Sequence, residues 1–295
     1  MGLMQVLAAP PLVMRGTARK YVVPSCVLTS EDLRRIYVLL EPKAAEAADR
    51  QVATLTLQPG QTQAQLDELR SAVRAALALV VRLQTETGWI NGTTVGLLGD
   101  DQLPDGILRV EFDSAFLYRA RFNNLVPNNA FSIVLDFSRP AVLDLGNPPA
   151  QNTSSAIISG LDATWANAIY EELASFFRPR ASKRGWLHFV RSYDALVIPV
   201  GFPISFDIVY HFDRLIRPHL VLSGALPVAI EVYIVIVSLL LFRVAFNYAR
   251  WTFPKLEIDA PRQHVAAGHR VAISTLAMIV LGALIKAGLK VVGIG

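Results

Sequence analysis

The sequence predicts an α+β cytosolic domain, an antiparallel sheet with packed helices, followed by a C-terminal α-helical membrane module of two or three transmembrane helices. Three observations carry that prediction. The 295-residue chain is 53% hydrophobic but only 18% charged, where an ordinary soluble domain is about a quarter charged. The apolar excess gathers in long runs near the C-terminus. Between residues 79 and 160, short β-branched runs alternate with Gly, Pro, Asn and Asp punctuation, the pattern of sequential strands.

Residues 1–19 read as a flexible N-terminal segment. They lack a basic n-region, and Pro10-Pro11 interrupts their apolar stretch, so they do not resemble a signal peptide. Val6 stands where a myristoylation motif needs Ser or Thr, which makes Gly2 a poor acceptor. A domain is expected over 20–177. Thr29-Ser30-Glu31-Asp32 marks a helix start, with Leu33, Ile36, Leu39 and Leu40 on one face and a kink or break allowed at Pro42. VATLTL (52–57) reads as a short strand, and Gln63 opens a second helix through Leu66, Leu69, Val73 and Leu77. LVVRLQ from Leu79, TTVGLL, ILRVEF (107–112), FSIVLDF (131–137) and SAIISG (155–160) read as strands, and their succession indicates an antiparallel sheet. Asp162 caps a last helix carrying Trp165, Ile169, Leu173 and Phe177 on one face.

A basic-aromatic juxtamembrane segment follows at 178–193, and a transmembrane module at 194–295. Within the module, 225–246 and 271–293 each exceed the ~20 residues a spanning helix needs. A third stretch, 195–212, is borderline in length and carries Pro199, Gly201 and Pro203, so it is expected either to span with a kink or to form a buried or re-entrant segment. With three spans and the N-terminal domain inside, ten Lys/Arg flank the cytosolic face and three the outer face; with two spans the division is eight and five. The positive-inside rule favours three.

Charge is distributed to match. The chain carries a net +4, which by itself suggests nucleic acid or an anionic surface. Yet residues 1–177 hold 14 Lys/Arg against 18 Asp/Glu, while 178–193 hold five cations and no acid. The surplus positive charge therefore sits at the bilayer, and no nucleic-acid partner is expected. Arg178, Arg180, Lys183, Arg184 and Arg191, with Trp186 among them, suit anionic lipid phosphates and the interfacial zone, and Arg250 and Trp251 repeat the chemistry. Each candidate span also holds an ionisable residue, Asp207, Glu231 or Lys286. Such groups face a partner or a polar cavity. Helical rise brings Glu231 and Lys286 to similar depths in a hairpin, as a packing ion pair or as part of a polar path.

Within the domain, Arg82, Arg109, Arg119 and Arg121 recur at strand-like positions and form a candidate anion-binding face, with Arg119 and Arg121 on one side if 114–122 is extended. Glu111, Asp113 and Asp136 lie close by, so the same face also reads as self-neutralised. Asp100, Asp101 and Asp105 sit in a polar turn without the spacing of a calcium loop. The phosphate-loop, dinucleotide-binding, nucleophile-elbow and zincin motifs are all absent. The five histidines are scattered, and the lone Cys26 reads as an inert, buried thiol in a reducing compartment. No catalytic residue, metal site or cofactor is therefore expected.

The resulting expectation is a non-enzymatic interaction or ligand-sensing protein of a bacterial inner membrane, its N-terminal domain cytosolic. Its expected partners are anionic lipids and either further copies of itself or a membrane protein. The alternatives are a channel-like effector gated by the domain and a membrane-tethered enzyme acting on an anionic substrate through Asp100, Asp101, Asp113 and the arginines.

Overall fold

The computed structural model describes residues 16–99, 103–144, 152–189, 191–215, 218, 225–259, 268–276, 278, 279 and 282. Asp100, Asp101, His219, His264, Lys286 and most of the 271–293 stretch lie outside these residues. The chain divides into two compact units. The first comprises 1–138, 152–182 and 256–264, and the second 139–151, 183–255 and 265–295.

The first unit is built on a six-stranded, wholly antiparallel sheet of order β1-β7-β6-β5-β3-β4. Its strands are β1 (Thr17–Val22), β3 (Val80–Thr85), β4 (Gly88–Gly92), β5 (Ile107–Asp113), β6 (Asn129–Asp136) and β7 (Ser155–Gly160). Apolar alternation sets which face is buried. Val81, Leu83, Val110, Phe112, Ile133, Leu135, Ala156 and Ile158 all point to one side and join the main core. Two helices close that side. Helix α1 (Ser30–Ala53) contributes Leu33, Ile36 and Leu40; α4 (Ala163–Phe177) contributes Trp165, Ile169, Leu173 and Phe177.

The helix starts follow their side-chain caps. The Thr29 hydroxyl accepts from the Asp32 amide while the Asp32 carboxylate accepts from the Thr29 amide, a reciprocal capping box. Asp162 likewise accepts from the Thr164 and Trp165 amides. Helix α2 (Gln63–Ala76) buries Leu66, Leu69 and Val73 and has its own capping box at Thr62. A short helix α3 (Phe116–Arg121) follows β5. A second, two-stranded parallel sheet joins β2 (Cys26–Leu28) to β8 (Leu256–Ile258), and Cys26 is buried in it as expected.

Four local expectations are corrected. Helix α1 runs unbroken through Pro42 and ends at Ala53, so Val52 and Ala53 of VATLTL are helix and the rest has no strand partner. TTVGLL contains a 3-10 turn at Val95–Leu98 rather than a strand; Arg34 holds the Leu98 carbonyl at 3.1 Å, which fixes the turn against α1. Arg119 and Arg121 belong to helix α3, not to extended chain. Strand β1 begins at Thr17, inside the stretch expected to be flexible.

The second unit is dominated by two helices long and apolar enough to cross a membrane, Ser192–Leu215 and Leu226–Thr252. The first consists of α5 (Ser192–Leu196), a π turn at Val197–Gly201 and α6 (Phe202–Leu215). Pro199 and Pro203 withhold the amide hydrogens that would bond carbonyls one turn earlier, and the coil widens there. The expected irregularity therefore falls at these prolines, within a continuous 24-residue helical run. The second is α7. Gly201 and Ser205 are buried where α7 approaches, and Phe242 and Leu239 of α7 lie in contact range of Gly201.

Candidate functional site

The sheet face opposite the core carries two of the four predicted arginines, Arg82 on β3 and Arg109 on β5, while Arg119 and Arg121 stand on helix α3. Register aligns Asn91, Arg82, Glu111, Val134, Ser155 and Val22 in one row across six strands, and Trp89, Gln84, Arg109 and Asp136 in the next. Arg82 is clamped on this face. Its guanidinium donates to Glu111 at 2.8 Å, its Nε donates to Asn91 at 3.3 Å, and it stacks on the Trp89 and Phe116 rings at 4.3 and 4.5 Å. Arg109 reaches the other oxygen of Glu111 at 2.7 Å, and Arg119 pairs with Asp113. Arg121 is exposed on α3, two residues and so about half a turn from Arg119.

The structure thus gives three of the four arginines carboxylate partners, which satisfies the buried acids Glu111 and Asp113 and lowers the positive potential available to an anion. Asp136 accepts from the amide and hydroxyl of Ser138. A separate cleft of about 230 Å³ lies beside α1, floored by Ala44 and Ala48 and edged by Tyr37, Asp49 and Arg74. There the Tyr37 hydroxyl donates to the Thr93 carbonyl at 2.7 Å, and burial, aided by the adjacent Glu41 carboxylate, pushes it up to about 12. Among the described residues no three metal-ligating side chains converge.

The basic-aromatic residues of 178–193 fall into two groups. Arg180 belongs to the first unit: it donates to Asp32 and to the Phe176 carbonyl, and lies 3.9 Å from the Phe176 ring centre. Arg178 flanks it in the same short 3-10 turn. Lys183, Arg184, Trp186 and His188 form a further 3-10 segment in the second unit, where they meet the end of α7. His188 Nε2 donates to the Phe253 carbonyl at 2.7 Å, and Arg184 stacks over the Phe253 ring at 4.6 Å. The carbonyl can only accept, so the imidazole is held with its proton on Nε2. Burial lowers the His188 pKa to about 4, with Arg250 and Lys255 adding to the fall against the opposing Phe253 bond.

Beside this contact, Tyr248 and Trp251 stack with ring centres 5.9 Å apart, Arg139 lies over Trp251 at 5.3 Å, and Tyr248 shares a 2.5 Å hydrogen bond with His269. Arg250 is buried and Arg191 exposed. Sequence reasoning named most of these residues but missed Arg139, His188 and His269 as members. An aromatic-flanked His at 188 was the available signal, and its partner stands 65 residues away.

Farther along the apolar helices, Asp207 faces outward and lies 3.7 Å from His211, one turn on. Glu231 is half-buried on α7; its predicted partner Lys286 lies outside the described residues. Comparison with known protein families, curated proteins and solved structures finds no match for this chain.

Proposed function

We propose that this protein is a membrane-anchored interaction or ligand-sensing protein, in which a cytosolic α+β domain is held at the bilayer by an apolar helical hairpin. One observation carries the reading. Only 11% and 6% of the most apolar stretches of the two long helices are buried by the rest of the chain. Phe206, Leu226, Val228, Val232, Tyr233 and Leu241 are each more than half exposed. Apolar surface of that extent is unstable in water and is covered at no such cost by lipid.

Two features agree with it. The Arg184, Trp186, Tyr248, Trp251 and Phe253 cluster gathers cationic heads and amphipathic rings at one end of α7, the composition of a membrane-water interface on the side of anionic headgroups. The chain also enters the helices ten residues after Ser182 of the first unit and rejoins that unit at Leu256, four residues after α7. Such short links suit a hairpin that leaves and returns on one side of the membrane.

The pairing of Arg82, Arg109 and Arg119 with carboxylates leaves less positive potential for an anionic substrate and supports recognition over turnover. Alkaline carbonate extraction tests the anchor: retention of the full chain in the membrane pellet is expected, and release would overturn it. A cytosol-active reporter placed at position 220 is expected to be silent and one at position 260 active; the reverse would overturn the orientation.

A further inference from the structure

We propose that α6 is a self-association surface, on which the stripe of Asp207 and His211, ending in Arg214 at the far interface, mates with the same stripe of a second copy in the membrane. The inference rests on the membrane reading above and names the partner of one face of the hairpin.

The depth of Asp207 comes first. Tyr193 packs against Phe242 and Phe246 of α7 at ring distances of 6.2 and 5.4 Å, and Arg243 lies 5.9 Å from the Tyr193 ring. An aromatic ring and a cation at one level mark where the hydrocarbon layer begins, with the Tyr248 and Trp251 cluster farther out among the headgroups. From Tyr193, helical rise places Asp207 about 21 Å deeper and His211 about 27 Å deeper. Both therefore fall inside a hydrocarbon layer of about 30 Å.

Exposure comes second. The side chains of Asp207 and His211 are 71% and 57% exposed, although they contact one another. An acid and an imidazole bare to lipid are costly, and in membrane helices such groups face protein or water. The opposite side of this segment is already engaged: Gly201 and Ser205 are buried where α7 approaches. The intervals of four and three residues put 207, 211 and 214 along one stripe, so the polar side of α6 is a continuous face.

Charge chooses the occupant. The stripe reads acid, imidazole, guanidinium over two turns. Two parallel copies, as identical chains in one membrane must be, bring Asp207 of each within diagonal reach of His211 of the other at an interaxial distance of 8–10 Å. A sequence that carries both signs in its own register complements itself, and closed symmetric assemblies are the ordinary outcome.

The experiment uses the full chain in membranes with Cys26→Ser, which removes the one native thiol. Oxidative cross-linking is compared between Tyr210→Cys, beside the stripe, and Leu240→Cys, on the exposed side of α7. Cross-linking at 210 is expected to exceed that at 240 by about tenfold, and the added pair Asp207→Leu, His211→Leu to reduce it by a similar factor. Native mass spectrometry of the unmodified protein from mild detergent is expected to show an oligomer, which guards against a misfolded variant. Membrane-retained protein that is monomeric, or that cross-links equally at both positions, would overturn the inference alone. Release by carbonate would overturn the membrane reading and this inference with it.

Discussion

Arg180 grips Asp32 across 148 residues of sequence, its Nε and Nη2 both donating to one carboxylate oxygen at 3.1 and 2.8 Å. The other oxygen caps α1 through the Thr29 amide. A single acid thus fixes the start of one helix to the segment that follows another. Removing either partner is expected to cost about 1–3 kcal/mol, because the remaining group is left partly buried. A double-mutant cycle on Asp32→Asn and Arg180→Ala, read by thermal unfolding, should show strong non-additivity.

The same carboxyl predicts a pH dependence. Burial acts to raise its pKa, but the Thr29 amide and the Arg180 guanidinium prevail and hold it below the ordinary 3.8. Its contribution is therefore present above that value and lost as pH falls through the lower, folded one. The melting temperature of the native chain should drop more steeply in that acidic window than that of Asp32→Asn.

Arg82 is expected to resist its nominally conservative replacement. Lysine keeps the charge but loses the planar group sandwiched between Trp89 and Phe116 and the fork shared with Glu111 and Asn91. Arg82→Lys should cost about 1 kcal/mol and shift Trp89 fluorescence, whereas Arg82→Ala should cost more by leaving the buried Glu111 with one cation instead of two.

Gly201 lies where the two apolar helices approach. A Cβ there would stand 3.0 Å from Val197 Cγ2, 3.3 Å from Phe242 Cδ1 and 3.5 Å from Leu239 Cδ2. Alanine should be accommodated by small side-chain shifts, whereas Gly201→Leu should destabilise the hairpin by about 1–3 kcal/mol. Thermal unfolding in detergent micelles, followed by loss of helical ellipticity, separates the two.

His188 is expected to stay neutral from pH 8 down to pH 5, since burial holds it near 4. In the unfolded chain it titrates at about 6.5, so the unfolded state takes up the proton first. Its neutral, buried form stabilises the fold fully above 6.5, and that contribution is lost as pH falls from 6.5 toward 4. A His188 ring resonance, assigned by its loss in His188→Gln, that titrates near 6.5 in the folded protein would contradict the placement; His188→Gln should flatten the stability profile between pH 6.5 and 4.

Much of the first unit was legible because its signals are local. Asp162 followed by Trp165, Ile169, Leu173 and Phe177 yields α4, since cap and period agree within 16 residues. VATLTL misled because Val52 closes a long helix whose packing carries it to Ala53, and Thr54 and Thr56 follow just beyond. Strand β1, TARKYV, is cationic and partly polar; it is a strand because Thr17–Val22 pairs with Ser155–Gly160, a relation no local pattern contains. The arginine face was readable as residues neutralised by nearby acids, but the individual pairs were not, because Arg82 and Glu111 are partnered by register. The helices were visible from apolar length, whereas their proline-bearing first half spans farther than its composition suggested.

Strand β8 has a consequence for the order of events during synthesis. Its partner β2 leaves the ribosome 228 residues earlier, and both long apolar helices are made in between. At roughly 5–20 residues per second, that edge waits on the order of ten to forty-five seconds for its mate. Completion of this pair thereby waits on synthesis of both apolar helices, and a chain stalled before Leu256 would leave Cys26–Leu28 open to chaperones or to aggregation.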